Sequence, residues 1–114
     1  AASLDIAALE RLAGQVELEP GDPRVVQVEA SADYRRVERQ LQAIRAAEPT
    51  LIQYAYVLAP TPNPAQARFV VDADVLQAMA TLAAGKKPAD EISHFGLRYD
   101  ISDKAFIREA FASA

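Results

Sequence analysis

Cysteine and tryptophan are absent from this chain, and histidine occurs once, at His94. Without cysteine there are no disulfides, thiolate nucleophiles or cysteine-ligated zinc or iron–sulfur sites, and the redox compartment stays open. A zinc site built on His94 would need three carboxylates around it, an uncommon donor set for that metal, so His94 reads as an ordinary loop histidine and no metal is expected. Glycine is scarce too: Gly14, Gly21, Gly85 and Gly96 stand far apart. Neither a phosphate-cradling loop nor a dinucleotide fingerprint can be assembled from them, and no cofactor is expected. No uncharged apolar run approaches the roughly 18–20 residues that span a bilayer. Ala1-Ala2-Ser3 lacks the basic start of a signal peptide. These features fit a cytosolic protein, a mature exported one, or a piece cut from between membrane anchors. Positive charge is in deficit, with 12 Lys and Arg against 16 Asp and Glu. A phosphate backbone wants clustered cations, so nucleic acid is not an expected partner.

What is present is a globular balance, 51% apolar and 25% charged residues over 114 positions. That is enough for one core and too little for two, so residues 1–114 are read as a single domain. Leu4, Ala8, Leu9 and Leu12 recur at helical spacing. With Ser3 as cap and Gly14 as stop, they predict a helix over Leu4–Ala13. Glu19–Pro23 is a turn cluster. Val25-Val26-Gln27-Val28 is open between strand, by its β-branched residues, and a helix started at Pro23. From Ala32 to Ala47 the 3–4 spacing of Tyr34, Val37, Leu41 and Ile44 predicts a longer helix, with Arg35, Arg36, Glu38, Arg39, Gln42 and Arg45 on its other faces.

Leu51–Leu58 reads as a strand with Ile52, Tyr54, Tyr56 and Leu58 on one side. Ala59–Ala65 carries three prolines and is expected to leave the ladder as a stiff loop. Arg68–Asp72 returns as a second strand. Val75–Ala84 reads as a helix with Val75, Met79 and Leu82 on one face, stopped by Gly85. Lys86–Asp90 is a polar connector, and Ser93–Ile101 has no helical period. A last helix, capped by Ser102 or Asp103, carries an apolar stripe of Phe106, Ile107, Ala110 and Phe111.

Chemistry-bearing groups are few. Ser93 is the only serine beside the histidine, and the G-x-S-x-G elbow is missing, so no nucleophile is assigned and no catalytic residue is expected. Asp72 and Asp74, two apart, would share one side of a strand as paired carboxylates; the plainer reading is that they end the strand and cap the helix at Val75. Tyr54 and Tyr56 form an amphipathic platform that suits ordinary sheet packing and ligand contact about equally. Arg98-Tyr99-Asp100 sits in an irregular segment of the kind that carries binding groups.

Several ordered pieces run together: Leu4-Asp5 in the first helix, Asp33-Tyr34 opening a helix through Leu41 and Ile44, and Pro49-Thr50-Leu51-Ile52-Gln53-Tyr54-Ala55-Tyr56. Phe69-Val70-Val71-Asp72-Ala73-Asp74 follows, then Gly96-Leu97-Arg98-Tyr99-Asp100-Ile101-Ser102 before a short helix with Ala110. Over residues 4–112 this order resembles the extracytoplasmic PAS-like (Cache, or PDC) sensor domains of bacterial cyclases, diguanylate cyclases and histidine kinases. The resemblance implies an α+β fold, a PAS-like antiparallel sheet with a long N-terminal helix behind it and a loop-and-helix segment covering a pocket on the other face. Tyr54, Tyr56 and Asp72 would face or border that pocket, and Arg98, Tyr99 and Asp100 would lie in the covering segment. It further implies a small-molecule ligand, a homodimer, and a place on the periplasmic or extracellular side of the inner membrane, attached through flanking segments absent from this chain.

Two departures stand out. The family continues for about three more strands, whereas this chain ends at Ala114 on a sheet read here as only a hairpin, which is marginal alone. The stretch from Asp74 to Asp90 is also longer than the family's pattern. Two other readings stand beside the sensor: a module that binds a protein partner without a small-molecule site, and an acid–base hydrolase using Asp72 and Asp74.

Overall fold

A computed structural model describes residues 3–15, 18–19, 21–48, 50, 54–88 and 91–112. Among these residues, five helices and a three-stranded antiparallel sheet follow in the order α1 (Ile6–Ala13), α2 (Arg24–Glu29), α3 (Ala32–Ala47), β1 (Tyr56–Pro60), β2 (Gln66–Asp72), α4 (Val75–Ala83), β3 (Arg98–Asp100) and α5 (Ala105–Ala112). The strands lie β1-β2-β3, so the sheet is an α+β meander with β2 in the centre. Among the described residues no helix is long and apolar enough to cross a membrane.

The helices begin where short polar side chains meet free amides. Asp5, rather than Ser3, caps α1 by accepting from the Ala8 amide at 3.0 Å. Ser31 caps α3 by accepting from the Tyr34 amide. The ambiguous valines resolve as helix: Pro23 occupies the N-cap of α2, and Asp22 accepts from the Arg24 amide at 2.9 Å. α4 ends in a Schellman motif, with Gly85 at φ +77° donating to the Leu82 carbonyl and Lys86 donating to that of Thr81.

One face of the sheet holds the core. Ala8 and Leu12 of α1, Val25 and Val28 of α2 and Tyr34, Val37 and Leu41 of α3 pack with Ala59, Val70, Val71 and Phe95. β1 alternates as the period of two demands, with Ala55, Val57 and Ala59 toward this core and Tyr54 and Tyr56 away from it. β2 breaks the period. Val57 pairs with Val71 but Leu58 pairs with Phe69, so Val70 is the extra residue of a β-bulge. Both Val70 and Val71 therefore enter the core, while Phe69 and Asp72, three apart, share the other face.

Four sequence expectations change. Leu51–Gln53 lie outside the described residues, and the ladder runs instead from Tyr56 to Pro60, which pairs with Ala67. Proline is tolerated there because β1 is an edge strand. The rest of the proline loop is held by its own polar groups: Thr61 and Asn63 bond to the surrounding backbone, including the Ala65 amide at 2.9 Å. Second, Glu38 is not on an outer face of α3; it is fully buried beside Tyr34 and Leu41, four and three residues away on the helix. Third, the apolar stripes of the last two helices stay largely uncovered. Met79 and Leu82 of α4 are exposed, Phe106 is 72% exposed, and α5 has no buried residue.

The fourth change completes the sheet. Arg98–Asp100 is a strand, paired Gln66 to Asp100, Ala67 to Tyr99 and Arg68 to Arg98, and not part of a covering loop. Backbone bonds extend the pairing on both sides, from Phe69 to Leu97, Gly96 to Phe69 and Ile101 to Ala65. Gly96 is required at the entry. Its φ is +90°, and a β-carbon there would meet the Leu18 carbonyl oxygen at 2.7 Å.

Candidate functional site

The face of the sheet opposite the core is aromatic. Tyr56 meets Phe69 edge-on at 5.4 Å between ring centroids, Phe69 meets Tyr99 at 5.5 Å, and Tyr56 and Tyr99 are 6.4 Å apart. These are the separations at which edge-to-face rings attract. Lys104, just before α5, places its ammonium 5.1 Å from the Tyr99 ring centroid. Tyr54 continues the row, half exposed.

α4 crosses over this face but does not fill the space. The residues it turns toward the sheet are Val75, Gln77, Ala78 and Thr81, and only Val75 is buried. The result is a cavity of about 650 Å³ floored by Tyr54, Tyr56, Phe69, Asp72 and Tyr99, with Lys87, Glu91, Ile92 and Ser93 of the connecting segment on its far wall. That volume lies in the range of small-molecule sites.

Asp72 is the polar fixture of the floor. One of its oxygens accepts from the Asp74 amide at 2.8 Å. Burial raises its carboxyl above the usual aspartate range, and the nearby Asp74 charge adds to that, against the Asp74 amide and Arg45. Burial likewise raises the Tyr56 phenol, helped by Tyr99. Tyr56 is thus a neutral hydrogen-bonding group, and Asp72 a carboxylate that gains from a donor or a cation.

Of the six residues singled out from the sequence, four come together here: Tyr54, Tyr56, Asp72 and Tyr99. Arg98 and Asp100 do not line the cavity. On a strand, neighbours of Tyr99 must point to the opposite face. Arg98 accordingly turns back to the carbonyls of Gly96 and Leu18 and to Glu19 at 3.3 Å. Asp100 is exposed and accepts from the Ser102 amide at 2.9 Å; the Ser102 hydroxyl first, and then this amide, hold its carboxyl below the usual range. The cover is provided by α4, with Lys87, Pro88, Glu91, Ile92 and Ser93 beside it.

The acidic pair also separates. Asp74 stands at the N-cap of α4 without capping it, and pairs with Arg45 at 2.6 Å. Glu38 takes the capping role from another helix, accepting from the Leu76 amide at 3.1 Å. His94 is anchored: its Nδ1 lies 3.0 Å from both oxygens of Glu29, which also accepts from the Phe95 amide at 2.9 Å. Among the described residues no group of His, Asp and Glu is arranged to hold a metal ion.

Sequence reading missed Glu38, Phe69 as a floor residue, and the α4 wall. A signal for Glu38 was present, since a carboxylate four residues after Tyr34 and three before Leu41 interrupts an apolar stripe. No family model, no curated protein and no solved structure matches the chain.

Proposed function

We propose that this chain is a ligand-sensing domain of the PAS-like type, taking a small molecule into the cavity between the aromatic sheet face and α4. The observation that carries the reading is the composition of the cavity floor: three touching rings with a half-buried carboxylate at their edge. Such a floor suits a compact molecule with an apolar body for the rings and a donor or cationic group for Asp72. In this reading the ligand biases the helices, a homodimer relays the change, and flanking segments tie the domain to the inner membrane from its outer side.

The test is a thermal-shift screen of small amines, amino acids and carboxylates, repeated on Tyr56→Ala and Asp72→Asn. At about a hundred times the Kd, a bound compound stabilises the native state by roughly 2.7 kcal/mol. At least one class should raise Tm in the wild type and fail to do so in both variants. A screen without any hit, or a hit that both variants retain, removes the proposal. The uncovered apolar residues of α4 and α5, Phe106 foremost, support the second reading, a module that binds a protein partner.

A further inference from the structure

Glu38 is fully buried, and among the described residues only one of its carboxylate oxygens has a partner: Oε2 accepts from the Leu76 amide, while Oε1 has none. Two more α3 side chains, four and seven residues on, reach the same turn. Gln42 donates to the Ala73 carbonyl at 2.9 Å, and Arg45 pairs with Asp74. Glu38, Gln42 and Arg45 form one polar stripe along α3, and it grips the start of α4. Beyond that grip the helix has a single buried residue, Val75, before it runs out over the cavity.

We propose that Glu38 is the positioning residue of the cavity wall and a proton-sensitive one: its ionisation resets how α3 holds the amino terminus of α4, and with it the width of the cavity. Ionised, the carboxylate makes a charge-assisted bond to Leu76 and meets the positive end of the α4 dipole. Against this stand burial with an unpartnered oxygen and a surrounding of like charge. Asp72 faces it from β2, Asp74 from the turn before α4, where Arg45 offsets it, and Glu29 from α2, beside the His94 ring. Tyr34, on α3 itself, donates no compensating charge. Burial first, then these carboxylates, raise the Glu38 carboxyl to about 7. The two protonation states are therefore both populated near neutrality, and they hold α4 differently.

As regulation of binding this rests on the sensor reading above; because the measurement needs no ligand, the two fail separately. Amide resonances of the ligand-free protein are followed from pH 5 to 9. Leu76 should titrate with a midpoint near 7, and Gln77, Ala78 and Thr81 should move with the same midpoint. In Glu38→Gln that transition should vanish. Should the variant not fold, the side-chain carboxyl carbon of Glu38 in the wild type gives its midpoint directly. A Glu38 midpoint in the ordinary range of about 4.3, a Leu76 transition that survives Glu38→Gln, or a transition confined to Leu76 with Ala78 and Thr81 still, overturns the proposal.

Discussion

The two faces of the same small sheet are built to opposite ends. On one, Val57, Ala59, Val70 and Val71 meet α1 and α3 in a contact in which Leu12, Val37 and Tyr34 are fully buried. On the other, Tyr54, Tyr56, Phe69 and Tyr99 look across an open space toward the small side chains of Ala78 and Thr81. Volume explains the contrast. Branched aliphatics against a leucine-bearing helix interlock to crystal-like density, whereas the rings face a helix whose cavity-lining residues, Gln77, Ala78 and Thr81, leave a gap above them. One face holds the fold together, and the other borders open space.

That contrast breaks most visibly if the core face is truncated. Leu12 is fully buried between α1, α3 and β2. Leu12→Ala should lower the unfolding free energy by about 3 kcal/mol, within the usual span for buried leucines, measured by urea titration. A loss below about 1 kcal/mol would mean the helices do not pack on the sheet as tightly as their burial requires.

Next in size is the dependence of stability on pH, which sharpens the comparison because Glu38 and Asp72 lie where the two faces meet α4. A carboxyl whose folded value is raised binds its proton more tightly in the native state. Its stabilising contribution is complete below the unfolded value and is lost as pH rises toward the folded one. For Glu38 that window runs from its ordinary value to about 7, and Asp72 acts in the same direction. Asp5, Asp22, Asp33 and Asp100 have lowered values, so their contributions disappear only in acid. Stability should therefore fall between pH 5 and 8 by roughly 2–3 kcal/mol. Glu38→Gln should flatten that slope. A slope unchanged by the substitution would place the titrating group elsewhere.

Much of the core face was legible in the sequence, and less of the open one. α1, α3 and α4 follow from the spacing of Leu4, Ala8 and Leu12, of Tyr34, Val37 and Leu41, and from Gly85, because helical periodicity is a local property. Tyr54 and Tyr56 stand out by strand chemistry and Asp72 by the resemblance alone, and the three line one cavity. β3 was not legible: Arg98-Tyr99-Asp100 has mixed character, and only pairing with β2 makes it extended. The same pairing decides that Tyr99 joins the cavity and Arg98 and Asp100 do not. The bulge at Val70 is a tertiary choice as well, since strict alternation would have set Phe69 and Val71 on one face. The charge of Glu38 marks it for the surface, whereas its position on α3, four residues after Tyr34 and three before Leu41, turns it inward.

The smallest expected effect is the most telling about the open face. Tyr54 is 51% exposed at the cavity rim, just before β1. If the ring serves the cavity rather than the core, Tyr54→Ala should cost under about 1 kcal/mol, because little apolar area returns to water. The same substitution on a packed ring would cost about 3–5 kcal/mol. Urea titration of Tyr54→Ala beside Leu12→Ala at pH 6 gives the ratio directly. A value near 1 would show that both faces are core, and that the space over the sheet closes in solution; a ratio of 3 or more in favour of Leu12 is expected from the burial of the two side chains.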